Sequence, residues 1–470
     1  MSNKNFDLIV IGSGPGGEKG AAQAAYFGKS VAIIERESVP GGAAANTGTL
    51  PSKTLRESAL YLSGFRQREL HGVDTQINKT VTARDFLFHE RFVVQSEHQR
   101  ISENIERHGI TYFEGNASFV DQHTVRVRSS KKTEISISGD VILIATGSSP
   151  YHPPVFPFDD PRVYDSDTIL ALDKLPSTML IAGGGVIGCE YACMFSALGI
   201  DVSLVEGREQ LLSFMDSEVS DTLTRCMRNM GVELCMPEEI ESVKAGGDLT
   251  VNLKTGRSIK VDALMAATGR NGNTGDLGLE NIQLKTGSRG QLKVNGTYQT
   301  ALPHIYAVGD VIGFPALAST SMEQARVAMV HAFDLEYKTE LANILPYGIY
   351  TIPECSMAGF SEEDLNRDNI AYVTGRATYQ NNARGQIIGD QDGFLKLLFR
   401  EEDMKLLGVH AIGETASELI HVGLTALLVG AGAELFIQTC YNYPTLSEMY
   451  KYATYDALGK RDKRRQLAAE

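Results

Sequence analysis

Long apolar runs are missing from this sequence. A membrane-spanning helix needs about 18 consecutive apolar residues, and the best candidate, Leu424 to Ile437, is shorter and contains Glu434. No membrane span is expected. Cysteine is scarce: the six cysteines, at 189, 193, 226, 235, 355 and 440, make neither a CxxC pair nor a zinc-ligand spacing, so no metal site is expected. Cys189 and Cys193 lie on one face of an apolar helix pattern and read as small core residues. Positive charge is in deficit, with 44 Lys plus Arg against 58 Asp plus Glu and a formal net charge of −14, which opposes attraction to nucleic acid or anionic lipid. The start, Met1 to Asp7, enters a strand-like run without the basic and long apolar segments of an export signal, and a cytoplasmic location is the expectation. Nor is this the composition of a disordered chain. Apolar residues make up 43% and charged residues 22% of 470, ordinary for a globular protein, and the length suits about three domains.

What the sequence does have is one unit written twice. Phe6-Asp-Leu-Ile-Val-Ile11 is a short buried-strand run, followed by Gly12-Ser-Gly14-Pro-Gly-Gly17, which opens an Ala-rich helix pattern from Glu18 to Phe27. Ser30 to Ile34 reads as a second strand, ending at Glu35. Glycines let such a turn tighten, let backbone approach a pyrophosphate and let the helix pack on the strand, while the helix N-terminus favours negative charge and the acid accepts a ribose hydroxyl. The unit recurs as Met179 to Ala182, Gly183-Gly-Gly185-Val-Ile-Gly188, an Ala-rich helix to Leu198, and a strand from Asp201 to Val205 ending at Glu206. Each acid lies 23 residues past its first glycine, and each unit is followed by an apolar run, from Val141 or Val261, that ends in the same tripeptide, Ala145-Thr146-Gly147 or Ala267-Thr268-Gly269. Two dinucleotide sites are implied.

Together with Gly41-Gly42, Pro51-Ser-Lys53, Glu190, Ala307-Val-Gly-Asp310 and Tyr443-Pro-Thr-Leu-Ser-Glu448, these units make nearly the whole chain resemble the pyridine nucleotide-disulfide oxidoreductases. The resemblance implies an α/β fold with two Rossmann-like dinucleotide-binding domains, one for FAD and one for NAD or NADP, and an α+β C-terminal dimerisation domain. Expected boundaries are 1–150 for the FAD domain, 151–272 for an inserted NAD(P) domain, 273–345 for the continued FAD domain and 346–470 for the dimerisation domain. The resemblance assigns FAD to Gly12, Gly14, Gly17, Glu35, Arg36, Gly41, Gly42, Lys53, Thr146, Gly147 and Asp310. It assigns the nicotinamide nucleotide to Gly183, Gly185, Gly188, Glu206 and Gly269. It implies catalytic roles for Lys53, paired with Glu190 beside the flavin, and for Tyr443 and Glu448, which reach across a two-fold homodimer to the other subunit's flavin.

In the family a redox disulfide lies at one flavin face, within Gly-Gly-x-Cys-x-Asn-x-Gly-Cys-x-Pro-Ser-Lys. Here the text is Gly41-Gly-Ala-Ala44-Ala-Asn46-Thr-Gly48-Thr49-Leu-Pro51-Ser-Lys53, and neither Ala44 nor Thr49 can relay two electrons by thiol-disulfide exchange. The family's acid-base histidine is replaced by Tyr443, whose reference pKa of about 10 makes it a poor proton shuttle near neutral pH. A packing or orienting role suits it better. The two losses agree, because a site without thiols has no thiol to deprotonate.

Thr49 and Asn442-Tyr-Pro-Thr445 are similar to the soluble pyridine nucleotide transhydrogenase branch of the family. That likeness implies an FAD-dependent enzyme passing hydride between NADPH or NADH and NAD or NADP, in a ping-pong cycle at one flavin face. Ala44 and Glu206 depart from the branch, and a carboxylate at the ribose repels a 2′-phosphate; Arg208 could partly neutralise such a phosphate, although a solvated arginine is the plainer expectation. Two other readings stand. One is an NADH-dependent diaphorase that reduces a quinone at the vacated face. The other is a non-catalytic flavin- or nucleotide-sensing subunit, against which the retained Lys53, Glu190, Asp310 and both glycine motifs speak. Val186 stands where some family members carry an aromatic gate, and its small side chain leaves access freer. The charge run Lys460 to Arg465 reads as a solvated terminus.

Overall fold

Short apolar runs separated by glycine turns and Ala-rich helices set up two parallel sheets. In a computed structural model, which describes residues 4–64, 82–130 and 133–469, the first sheet has seven strands. Its parallel part runs Thr111–Glu114, Val31–Glu35, Lys4–Ile11, Glu134–Ile144 and Ile305–Ala307, and Thr124–Arg128 and Asn116–Phe119 extend it antiparallel. Met1 to Asn3 of the N-terminal reading lie outside the described residues. Strand residues alternate between two apolar layers. Leu8 and Val10 share a core with Ala21 and Ala24 of helix Pro15–Tyr26 and with Ala325 and Met329 of helix Ala318–Ala332, whereas Ile9 and Ile11 share one with Val125, Val127 and Leu277. Burial on both faces is why these strands read as continuous apolar runs.

The register brings Ile11, Ile34 and Ile144 level, with Ala307 beside Ile144. Residues 12–17, Glu35, residues 145–147 and residues 308–310 therefore leave from one carboxyl edge, where open parallel sheets bind ligands. The helix starts at Pro15 rather than Glu18, since the last glycines of the motif already form its first turn and proline suits the first helical position.

The second sheet repeats the plan with five parallel strands, in the order Glu233–Cys235, Asp201–Val205, Thr178–Ala182, Ala263–Ala266 and Val163–Tyr164. Ala182, Val205 and Ala266 are in register, so residues 183–188, Glu206 and residues 267–269 share its carboxyl edge. Ser148–Pro150 and Arg270–Gly272, which flank this unit in the chain, pair antiparallel with each other. Asn271 and Gly272 thus lie in a short strand, whose backbone groups are satisfied by a segment far away in sequence.

The third unit is a five-stranded antiparallel sheet in the order Tyr347–Ile349, Glu354–Gly359, Leu406–Gly413, Phe394–Arg400 and Tyr372–Thr378. Helices Ala416–Leu428 and Met449–Ala469 pack on it. Gly375 lets the second helix sit close to the edge strand, because a Cβ there would overlap the Ala453 carbonyl. The charge run Lys460 to Arg465 belongs to this helix and is mostly exposed to solvent, as expected, but part of it is also docked. Lys460 and Arg464 donate to the carbonyls of Thr374 and Tyr372 on the edge strand, and Arg465 to that of Glu402; long basic side chains cap an edge that would otherwise stay open.

Among the described residues no helix is long and apolar enough to cross a membrane. The apolar run from Leu424 is divided between helices Ala416–Leu428 and Ala433–Gln438. None of the six cysteines is in a disulfide. Cys189 and Cys193 are fully buried, and burial pushes the Cys193 thiol up to about 12, which keeps it protonated and unreactive.

Candidate functional site

The first carboxyl edge opens on a cavity of about 1140 Å³, somewhat above the usual range for ligand pockets. Its walls come from all three units: Gly12, Gly14, Glu35 and Arg36 from the first glycine unit; Lys53 from helix Thr49–Leu62; Thr146, Gly147 and Asp310 from the strand ends; Val186 and Glu190 from helix Val186–Ala197; and Tyr347 and Tyr350 from the C-terminal unit. Gly41 and Gly42 bound the turn that follows, and a Cβ on Gly42 would run into Gly14.

The two glycine turns have the same geometry. Gly12 and Gly183 have φ of +99° and +115°, and a Cβ on Gly17 or Gly188 would overlap the carbonyl oxygen of Gly12 or Gly183 respectively. Neither following helix has a side-chain cap, so first-turn amides are left for an anion. The hydroxyls of Thr146 and Thr268, at equivalent places in the two tripeptides, are buried without a protein partner, an arrangement that a bound ligand relieves. Glu35 accepts from the amide and hydroxyl of Ser13 at 2.9 and 2.7 Å and from the amide of Glu37 at 3.0 Å. Arg36 turns aside to Glu37 at 3.2 Å. Asp310 accepts from Ser148 Oγ at 2.7 Å, and Arg270 Nε donates to that same hydroxyl at 2.8 Å. Because guanidinium can only donate, Ser148 must present its proton to Asp310. The cradle, the unpartnered Thr146 hydroxyl and the ribose-type acid fit a dinucleotide such as FAD.

At the cavity wall Lys53 Nζ lies 2.9 and 2.8 Å from the two oxygens of Glu190. The Tyr350 amide donates to Glu190 Oε1 at 2.8 Å, and the Tyr350 ring centre is 4.9 Å from Lys53 Nζ. The Glu190 carboxylate is almost fully buried while the Lys53 side chain keeps 27% of its exposure, so the carboxylate is fixed and the cation looks into the cavity. Burial pushes the Tyr350 phenol up, leaving its ring neutral beside the ammonium. Ala44 on helix Gly42–Asn46 and Thr49 at the start of helix Thr49–Leu62 line the same cavity, and among the described residues no cysteine does.

On the second edge Gly183, Gly185 and Gly188 follow the central strand Thr178–Ala182, with Glu206 past the end of the neighbouring strand on one side and Gly269 past the end of that on the other. Glu206 Oε2 accepts from the Gly184 amide at 2.6 Å and from Arg208 Nη2 at 3.0 Å, and Oε1 accepts from the Arg208 amide and Nε, both at 2.9 Å. Burial pushes this carboxyl up, but the bonds from Arg208 and Gly184 outweigh it and hold the group below the usual carboxylate range. Arg208 is therefore not merely solvated, because the turn after the strand brings its amide and its planar fork onto one carboxylate.

Tyr443 and Glu448 are not brought to the cavity of their own chain. Tyr443 is 73% exposed, and Glu448 accepts from the Tyr452 hydroxyl at 3.4 Å. Sequence patterns missed Tyr350, Ser148 and Arg270. Tyr350 contributes a backbone amide that any residue could supply, whereas the arginine directly after Ala267-Thr268-Gly269 was a usable signal.

Residues 6–332 match the pyridine nucleotide-disulphide oxidoreductase family, and residues 345–454 match its dimerisation domain, so the chain assembles as a homodimer. It is 45% identical over 459 residues to the soluble pyridine nucleotide transhydrogenase of Mycobacterium bovis BCG, with 97% of this chain and 98% of that relative covered. It is 43% identical over 460 residues to the protein of that name from Pectobacterium atrosepticum, with the same coverage. Among solved structures, LpdA from Mycobacterium tuberculosis superimposes with a TM-score of 0.88 at 25% identity, covering 96% of this chain and 99% of that one. The HOCl-induced flavoprotein disulfide reductase of Escherichia coli gives 0.85 at 26% identity, covering 95% and 98%. The family's cofactors, FAD and NAD or NADP, are those that the two cradles fit. The chain belongs to the pyridine nucleotide-disulphide oxidoreductase family.

Proposed function

We propose that the protein is an FAD-dependent transhydrogenase that moves hydride between NADPH or NADH and NAD or NADP without a redox disulfide. One observation carries this reading: the cavity that holds the Lys53–Glu190 pair is lined by Ala44 and Thr49 where the family has thiols. The charged pair is kept while the disulfide relay is gone. Relatives at 43% and 45% identity carry the transhydrogenase name, which supports the same conclusion.

FAD bound in the first cradle supplies the two-electron chemistry. Gly12, Gly14 and Gly17 hold its pyrophosphate at the helix N-terminus, Glu35 accepts from its ribose, and Arg36, Gly41, Gly42, Thr146 and Gly147 wall it in. Asp310 has one oxygen engaged by Ser148 and offers the other to a polyol hydroxyl. Lys53, steadied by Glu190 and through it by the Tyr350 amide, would present a cation to a flavin held in the cavity and so favour the negative charge that the flavin would gain on reduction. Gly183, Gly185, Gly188, Gly269 and Glu206 take the nicotinamide nucleotide, and Val186 leaves its entry open. Tyr443 orients, and Glu448 supports, the site of the second subunit in a two-fold dimer. The domain divisions are 1–150 with 273–345, 151–272 and 346–470, and the working compartment is the cytoplasm.

The test is anaerobic. The enzyme is reduced with NADPH and, separately, with NADH, then mixed with thio-NAD while flavin absorbance and thio-NADH are followed. Rapid reduction by both donors with stoichiometric reoxidation is expected. Reduction by NADH alone, with reoxidation only by an added quinone, would replace this reading with the diaphorase.

A further inference from the structure

The two nucleotide units agree in spacing and turn geometry but differ in what meets the acid. In the first, the ribose-type acid Glu35 is met by neutral donors, the hydroxyl of Ser13 and the amides of Ser13 and Glu37, and the adjacent arginine points elsewhere. In the second, Gly184 stands where Ser13 stands, and a Cβ there would press on the side chains of Glu206 and Leu211. The place of the serine hydroxyl is filled instead by the guanidinium of Arg208. The Glu206 side chain is 8% exposed and that of Arg208 52%, so the acid is fixed while its cation can leave into solvent. Arg208 Nη1 also donates to Ser213 Oγ at 2.9 Å. Neighbouring cations are committed to other acids, Lys254 to Glu239 and Arg257 to Glu233, each at 2.6 Å.

Four donors saturate the Glu206 carboxylate, which has about four lone-pair positions. Any ribose that hydrogen-bonds it must displace Arg208. A 2′-hydroxyl replaces the guanidinium at the carboxylate and gives the arginine nothing in return. A 2′-phosphate repels the carboxylate but offers the released guanidinium a dianionic, bidentate partner, with Ser213 Oγ beside it. Building on the transhydrogenase reading, we infer that Arg208 is an exchangeable counter-ion that pairs with Glu206 in the empty pocket and transfers to the 2′-phosphate of NADPH or NADP, levelling the affinities of two nucleotides that one pocket must accept in turn. The first unit, whose occupant carries no 2′-phosphate, has a hydroxyl there and no cation.

Binding of nucleotide fragments to the oxidised, FAD-loaded enzyme tests this without hydride transfer, so a failed transhydrogenase assay and a failed inference are separate results. The probes are 5′-AMP and 2′,5′-ADP, titrated by calorimetry into the natural enzyme and into Arg208→Gln, Arg208→Lys and Glu206→Gln, with retained flavin absorbance as the check on folding. The natural enzyme should bind both probes within about tenfold of each other. Arg208→Gln should weaken 2′,5′-ADP about 30-fold while 5′-AMP binds as well or better, a split in sign that loss of a purely structural pair does not produce. Arg208→Lys should recover part of the loss, since it keeps the charge without the fork. Glu206→Gln should tighten 2′,5′-ADP about tenfold by removing the repulsion. Equal weakening of both probes in Arg208→Gln, no change in 2′,5′-ADP, or a natural enzyme that binds 5′-AMP alone would overturn the inference.

Discussion

Lys53 and Glu190 lie 137 residues apart in the chain and meet in a two-pronged ion pair. The burial of Glu190 makes the pair asymmetric: removing the cation strands a carboxylate where water cannot reach it. Replacing Lys53 with Met should lower the flavin reduction rate by NADPH and by NADH about 100-fold, the size expected for losing one preorganised charge at a developing anion, with FAD still bound. Stopped-flow reduction checks this, and rates equal to those of the natural enzyme would remove Lys53 from the chemistry. At this scale the sequence was most legible where chemistry dictates the residue type. Glu35, Glu206, Lys53 and Glu190 belong to that class. What it hid were groups whose contribution is backbone or relayed, such as the Tyr350 amide and the step from Arg270 through Ser148 to Asp310.

The glycine turns separate the two sites at the scale of elements. Because a Cβ on Gly17 or Gly188 meets the carbonyl at the head of its own turn, each substitution by Ala forces that turn open and spoils one cradle. Gly17→Ala should yield protein depleted of FAD, visible as loss of the flavin absorbance. Gly188→Ala should stay yellow and be reducible by dithionite, yet bind NADH and NADPH at least about tenfold more weakly. If both variants lost flavin alike, the turns would not be independent sites. Strand and helix existence was readable from apolar runs and glycine spacing, because both faces of each parallel sheet are buried. The short strand Arg270–Gly272 was not, since its partner Ser148–Pro150 lies far back in the chain. The basic run near the C-terminus is exposed as read, but its docking was hidden for a related reason, since it depends on open carbonyls of a distant edge strand.

Over the whole molecule, the nucleotide unit is bolted to the C-terminal sheet by charges that no motif announces. Lys396, 2% exposed on strand Phe394–Arg400, reaches Asp216, fully buried at the N-terminus of helix Ser217–Asn229, at 2.8 Å, and also pairs with Glu218 and Glu362. Lys396→Met should destabilise the protein by about 3–5 kcal/mol, and pairing it with Asp216→Asn should recover much of that, because stranding one buried charge costs more than removing both. Thermal unfolding of the FAD-loaded proteins measures it, and additive losses in the double variant would contradict the account. The same place sets a pH response. Burial holds the His410 ring, next to Lys396 across the sheet, below its usual pKa despite the nearby Asp216 and Glu363. The unfolded chain then takes up a proton at this residue before the folded one does, so stability falls as pH drops below about 6.5. Burial pushes Asp216 up, yet His410 and Lys396 bring it below the usual range, so its contribution is present above about pH 4 and is lost on further acidification. A His410→Gln variant should flatten the upper part of this decline in pH-dependent unfolding curves, and an unchanged slope would assign it to other groups.

The central claim is that one thiol-free cavity serves two nucleotides in turn. Initial rates of thio-NADH formation, measured over a grid of NADPH and thio-NAD concentrations, test it most directly. Parallel lines in the double-reciprocal plot, with activity undiminished after alkylation of accessible thiols, are the predicted result. Intersecting lines, which require both nucleotides on the enzyme at once, or loss of activity on alkylation would contradict it.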